Sequence, residues 1–236
     1  MAGRGWHAAV AVSAAIVTLA LLGMSAGWLA TLHTRVTSDV VPAGLTGVEL
    51  TLSSGDAVIV GTQSTSLEVR RTERYAFGHA AQEERSRRGG VLQIASHCPK
   101  IVLGSCSASY ELAVPETVAV SVHTSRGNVR LTGFRGAATV ETGAGNVNVD
   151  AYCGFHLDAS TGSGDIRIAA ACSPAELQAH TRSGDAVALV PPGRYRIEAA
   201  AGAGPPRVSG VIRDPHAPFT IDMRSRSGSV TIGGGL

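Results

Sequence analysis

The chain has 236 residues, a formal net charge of +2, 29 glycines and only 4% aromatic residues. Near-neutral charge, with Lys100 as the single lysine, excludes a nucleic-acid binder that works through a global basic field. An apolar fraction carried by Ala, Val, Ile and Leu points to a thin, strand-rich fold and away from a thick globular core.

Residues 1–7 read as a short cytoplasmic N-terminus. Ala8 to Leu32 then form 25 consecutive residues without a charge, more than the ~20 helical residues that cross a bilayer core. Arg4 precedes the run, and Trp6 and Trp28 lie near its two ends, where interfacial rings are favoured. The sequence predicts one transmembrane signal anchor over residues 8–32, with the lipid bilayer as its partner and the following chain extracytoplasmic. The alternative is a signal peptide cleaved near Ser25-Ala26-Gly27, which would make the protein secreted.

Residues 33–45, HTRVTSDVVPAGL, read as a linker, and residues 46–236 as one domain. Val48 to Gly61 forms a first two-strand unit around Gly55. SLEVRRTERYAF and VLQIASHC read as strands, and the charged GHAAQEERSRRGG between them as a loop or hairpin end. Pro115 belongs between strands or at an edge, since it cannot donate to a ladder.

From residue 120 onward the chain is periodic. Gly127, Gly145, Gly164, Gly184, Gly204 and Gly228 are spaced by 18, 19, 20, 20 and 24 residues. Three residues before them stand Thr124, Thr142, Thr161, Thr181, Ala201 and Ser225. Directly after them stand Asn128, Asn146, Asp165, Asp185, Pro205 and Ser229. Apolar residues alternate on both sides, and the inward parity changes across each glycine. The chain must therefore turn there, which Gly permits and Asx favours. A fixed period of this length marks stacked units that share one core. The predicted fold is all-β: a β-helix-like solenoid of about six stacked two-strand coils, preceded by the N-terminal transmembrane helix. Its structural corners are Gly127, Asn128, Gly145, Asn146, Gly164, Asp165, Gly184, Asp185 and Gly228.

Four cysteines, Cys98, Cys106, Cys153 and Cys172, all lie in the exported part, where an even count implies disulfides. Cys153 and Cys172 each follow a corner glycine by eight residues. Stacking places them ~4.8 Å apart, within disulfide reach. That leaves Cys98 to pair with Cys106.

The ordered array resembles the bacterial putative-adhesin domain family, exported domains of unknown function. The matching stretches are CSASYELAVPETVAVSVHTSRGNVRLTGFRG (Cys106–Gly136), STGSGDIRI, HTRSGDAVALVPPGRYRIEA and RSRSGSVTIGG. The resemblance covers residues 46–236. It implies a β-helix-like solenoid with an adhesin-like role at the cell surface, and carries over no catalytic residue.

Three functions fit the residues. The first is a non-catalytic structural or binding module at the cell surface. Its outward rows are basic at Arg130, Arg167 and Arg207 and acidic at Asp158, Glu198 and Asp222. A cell-wall polymer or surface protein would be its partner, without nucleic acid. The second is calcium binding along a ladder of Asn128, Asn146, Asp165 and Asp185, against which the long repeat and the sparse acids argue. The third is a polysaccharide-active enzyme, which needs clustered carboxylates, whereas the acids here are scattered. The reading is a non-enzymatic module with no catalytic residue, cofactor or metal.

Overall fold

The computed structural model describes residues 16–19, 21, 24, 32–100 and 105–235. In chain order the strands are β1 (His33–Val41), β2 (Gly47–Leu52), β3 (Ala57–Thr62), β4 (Leu67–Tyr75), β5 (Gln82–Arg88), β6 (Val91–His97), β7 (Cys106–Pro115), β8 (Ala119–Arg126), β9 (Val129–Thr132) and β10 (Ala138–Ala144). They continue with β11 (Val147–Tyr152), β12 (His156–Ser163), β13 (Ile166–Ala170), β14 (Glu176–Ser183), β15 (Ala186–Val190), β16 (Arg194–Ala201), β17 (Arg207–Ser209), β18 (Ile212–Arg213), β19 (Thr220–Ser225) and β20 (Val230–Gly234).

Two ten-stranded sheets hold them all. One runs β1-β4-β7-β3-β9-β11-β13-β15-β20-β17, the other β18-β16-β19-β14-β12-β10-β8-β2-β6-β5. Each corner glycine sends the chain from the second sheet into the first, as between β8 and β9. Successive units pair in parallel and in register: Val122, Val140, Ala159, Ala179 and Met223 form one continuous row. Val129, Val147, Ile166, Ala186 and Val230 form the row on the other sheet. All ten side chains are buried. This is how a chain poor in rings closes a core: small β-branched and Ala side chains interdigitate between two close sheets.

The order of stacking departs from the chain order at both ends. The Gly55 unit lies directly on the Gly127 unit, since β2 pairs with β8 and β3 with β9. At the other end β19 enters between β14 and β16, and β20 between β15 and β17. The Gly228 unit thus sits on the Gly184 unit, and the Gly204 unit lies outside it. The motif residues give the reason. Ser225 donates its hydroxyl to the Gly184 carbonyl oxygen (2.7 Å), and the Ser229 amide donates to Asp185 Oδ1 (2.7 Å). The Gly204 unit could make neither bond, because Ala201 has no hydroxyl and Pro205 has no N–H.

Three expectations need correction. Most of residues 8–32 lies outside the described residues. Among the described residues no helix is long and apolar enough to cross a membrane. The N-terminal transmembrane helix, the signal anchor, the bilayer as partner and single-pass localisation are withdrawn on that finding. Residues 33–45 are not simply a linker: His33–Val41 is β1, antiparallel to β4 from His33↔Tyr75 to Val41↔Leu67, because β4 otherwise leaves a ladder open. Gln82–Arg88 likewise is a strand, paired with β6 through a turn at Gly89 and Gly90 (φ 57° and 84°). Its charges suit a sheet edge.

Candidate functional site

The corners are built from three interlocking rows. Gly127, Gly145, Gly164 and Gly184 have φ of 148°, 152°, 144° and 139°, a region that favours glycine. Space imposes the same choice. A Cβ at Gly145 would fall under 3.0 Å from the Gly127 carbonyl oxygen. Gly164 stands in the same relation to Gly145, Gly184 to Gly164, and Gly228 to Gly184. Each of those carbonyls then accepts from the hydroxyl of the next unit. Thr142 reaches Gly127 (3.1 Å), Thr161 reaches Gly145 (2.9 Å) and Thr181 reaches Gly164 (3.0 Å). These threonines are 1–5% exposed, so their hydroxyls require the partner they have.

The Asx row runs in one direction. Asp56 Oδ1 accepts from the Asn128 amide (2.7 Å), Asn128 Oδ1 from Asn146 (3.0 Å) and Asn146 Oδ1 from Asp165 (2.8 Å). Asp165 Oδ1 then accepts from Asp185 (3.0 Å), and Asp185 Oδ1 from the Ser229 amide and hydroxyl (2.7 and 2.8 Å). Those two donations from Ser229, amide first, hold the Asp185 carboxyl below the usual range, with Arg167 adding to the effect. Each row oxygen therefore already accepts from the chain. Among the described residues no group of three or more His, Cys, Asp or Glu side chains could hold a metal ion.

Cys153 is bonded to Cys172 with a Cα separation of 4.6 Å, and Cys98 to Cys106 with 5.8 Å. Three histidines on separate strands each face a carboxylate. His123 meets Glu141 (3.1 Å), His156 meets Glu176 (3.1 Å) and His180 lies 3.6 Å from Asp222.

A second cluster lies between the sheets at the β1/β5 end. Arg71 binds Glu73, the Ala81 carbonyl oxygen (2.7 Å) and Glu83 (3.3 Å). Tyr110 donates to Glu83 (2.6 Å), and Arg85 binds both Glu83 and Asp39 (3.0 Å). Burial, then the bond to Glu83, pushes the Tyr110 phenol well above its ordinary range. The Glu73 and Glu83 side chains are only 6% and 13% exposed. Glycine spacing does not point here. Strand parity does: Leu67, Val69, Arg71 and Glu73 share one face of β4, so two charges stand where the core continues. They close the end of the apolar row with paired charge.

On the outer face of the second sheet runs a shallow groove of about 640 Å³. Gly143 and Gly162 form its floor, and Arg182, Arg224 and Arg226 stand at one end. These residues lie four and two positions before their corner glycines, on the outward parity of β10, β12, β14 and β19, with Arg226 one residue past the end of β19.

Residues 44–205 match the family described as Toastrack DUF4097. No curated protein matches the chain. Among solved structures, a putative cell adhesion protein from Clostridium sporogenes aligns with 86% of this chain and 100% of its own at 12% identity and a TM-score of 0.56. A putative adhesin from Bacteroides fragilis aligns with 84% of this chain and 97% of its own at 10% identity and a TM-score of 0.45. The first of these likenesses shows the fold. The family match covers more than half of the sequence, and the chain therefore belongs to the Toastrack DUF4097 family.

Proposed function

We propose that the protein is a non-catalytic, adhesin-like β-module that works outside the cytoplasm, secreted or held at the cell surface. Residues 46–236, extended by β1, are its working domain. The corner residues and the two disulfides serve its architecture and take no ligand.

The observation that carries the reading is the closed corner row. One side-chain oxygen of each residue that could have formed a calcium ladder, Oδ1, accepts a backbone amide of the next unit. The chemistry left for a partner is on the outward strand faces. Paired cysteines with none free support an oxidising compartment. The name putative cell adhesion protein, given to the Clostridium sporogenes neighbour, points the same way.

The test is an array of cell-wall polymers, surface glycans and extracellular proteins probed with the purified full chain, with and without calcium. Saturable capture of a surface component without turnover, unchanged by calcium, is expected. Polymer cleavage, or capture that requires calcium, would contradict the reading.

A further inference from the structure

We propose that the groove on the outer face of the second sheet binds an anionic polymer: a hydroxyl-rich chain bearing phosphate or carboxylate groups. This rests on the surface-module reading and names the class of partner that one face would take.

The two cations that matter are Arg182 and Arg226. They occupy the same place, two residues before Gly184 and Gly228: Arg182 lies on β14, and Arg226 directly follows β19, whose last registered pair is Thr181↔Ser225 and whose next amide, that of Arg226, donates to the Thr181 carbonyl oxygen (3.1 Å). Neighbouring parallel strands lie ~4.8 Å apart. Two exposed arginines on backbones that close can bring both guanidinium groups to one phosphate or carboxylate. Both residues are exposed, and among the described residues no ion pair or hydrogen bond is seen for either side chain.

The acids nearby are already engaged. Asp222 is bound by Arg224 at 2.8 and 2.9 Å, and the same guanidinium reaches Glu198 at 3.4 Å. Glu141, at the other end of the groove, faces His123. An incoming anion therefore meets Arg182 and Arg226 at one end of the groove, where Arg224 is shared between Asp222 and Glu198, while Glu141 lies at the other end.

Shape points to a chain and away from a single ion. In the row two residues before the corners, the order across the sheet is Ser125, Gly143, Gly162, Arg182 and Arg226. The two glycines leave the floor bare beside the arginines, and Ser160 offers a hydroxyl along it. The groove runs across the strands, along the stacking direction, so an extended polymer can lie over the glycines with an anionic group in the arginine end.

The experiment measures binding of the purified full chain to polyglycerol phosphate, to polygalacturonate and to neutral dextran. The same titrations are run on R182S/R226S, on S160E and on R130S, whose arginine lies on the other sheet. The proposal expects saturable binding of the phosphate polymer, the uronate polymer or both, weakened by salt, and none of dextran. R182S/R226S should lose about tenfold or more in affinity, with an unchanged melting temperature. S160E should lose affinity by repulsion, and R130S should bind as the parent does. The proposal is overturned if neither polyanion binds, if R182S/R226S and S160E bind like the parent, or if R130S loses as much as R182S/R226S. Binding of dextran, indifferent to the arginines, would overturn this proposal and leave the surface-module reading standing. Failure to hold any surface component on the array would remove both.

Discussion

The backbone amide of Asp185 donates to Oδ1 of Asp165, 3.0 Å away on the neighbouring unit. An Asp at this place thus fixes the unit that follows it, through one oxygen that Asn supplies equally well, as Asn146 does for Asp165 (2.8 Å). Asp165→Asn should therefore leave stability within about 0.5 kcal/mol, whereas Asp165→Ala should lose ~1 kcal/mol. Urea denaturation of the two variants separates them. Equal losses would mean that the charge, and not the acceptor, matters.

Gly164 tests the steric half of the corner. Alanine there would combine a φ of 144° with a Cβ under 3.0 Å from the Gly145 carbonyl oxygen. The Gly145 carbonyl also accepts from Thr161, so it cannot withdraw without losing that bond. Gly164→Ala should cost at least about 2 kcal/mol, read as a shift in the urea midpoint. The same change at Gly78, where an added Cβ meets nothing within 4 Å although φ is 72°, should cost less.

The glycine period, its threonines and its Asx residues are written locally, and that is why the units could be read from sequence. The order of the last two units was less visible. It depends on which later segment can satisfy Gly184 and Asp185, a choice made over more than 40 residues by Ser225 and Ser229. Ala201 and Pro205 carry the negative half of that signal. The arginine groove follows from position once the stacking order is known, because Arg182 and Arg226 become neighbours only when the Gly228 unit moves inward. The charged end cluster was hidden for another reason: Glu73 and Glu83 lie outside the period and meet only when β4 and β5 face each other across the two sheets.

Asp185 gives a pH signature. Its folded carboxyl is held below its usual range by the Ser229 amide and then the Ser229 hydroxyl, while the unfolded value is ~3.9. Its contribution to stability is complete above the unfolded value and is lost as pH falls through the folded one. Asp185→Asn should flatten the stability profile below about pH 4. Ser229→Ala should flatten it less, since the amide, the larger cause, remains. Melting curves across acid pH check both, and an unchanged acid limb in Asp185→Asn would contradict the assignment.

Glu83 is the hub of the end cluster, bound by Arg71, Arg85 and Tyr110. Glu83→Ala leaves Arg71 mostly buried without one of its two carboxylates and should cost ~3 kcal/mol, the usual effect of breaking a buried pair from one side. Tyr110→Phe removes one hydrogen bond and should cost ~1 kcal/mol. Guanidinium titrations of the pair supply the numbers. A neutral Glu83→Ala would mean that the cluster is solvated and does not close the core.

The central claim is that successive corner units lie on one another in the register set by their glycines, in a compartment that oxidises cysteine. Non-reducing peptide mapping of the protein recovered from its native host tests both parts together. A Cys153–Cys172 link across adjacent units and a Cys98–Cys106 link before the repeats are expected, with no free thiol. A Cys98–Cys153 or Cys106–Cys172 link would contradict the register, and four free thiols would contradict the compartment.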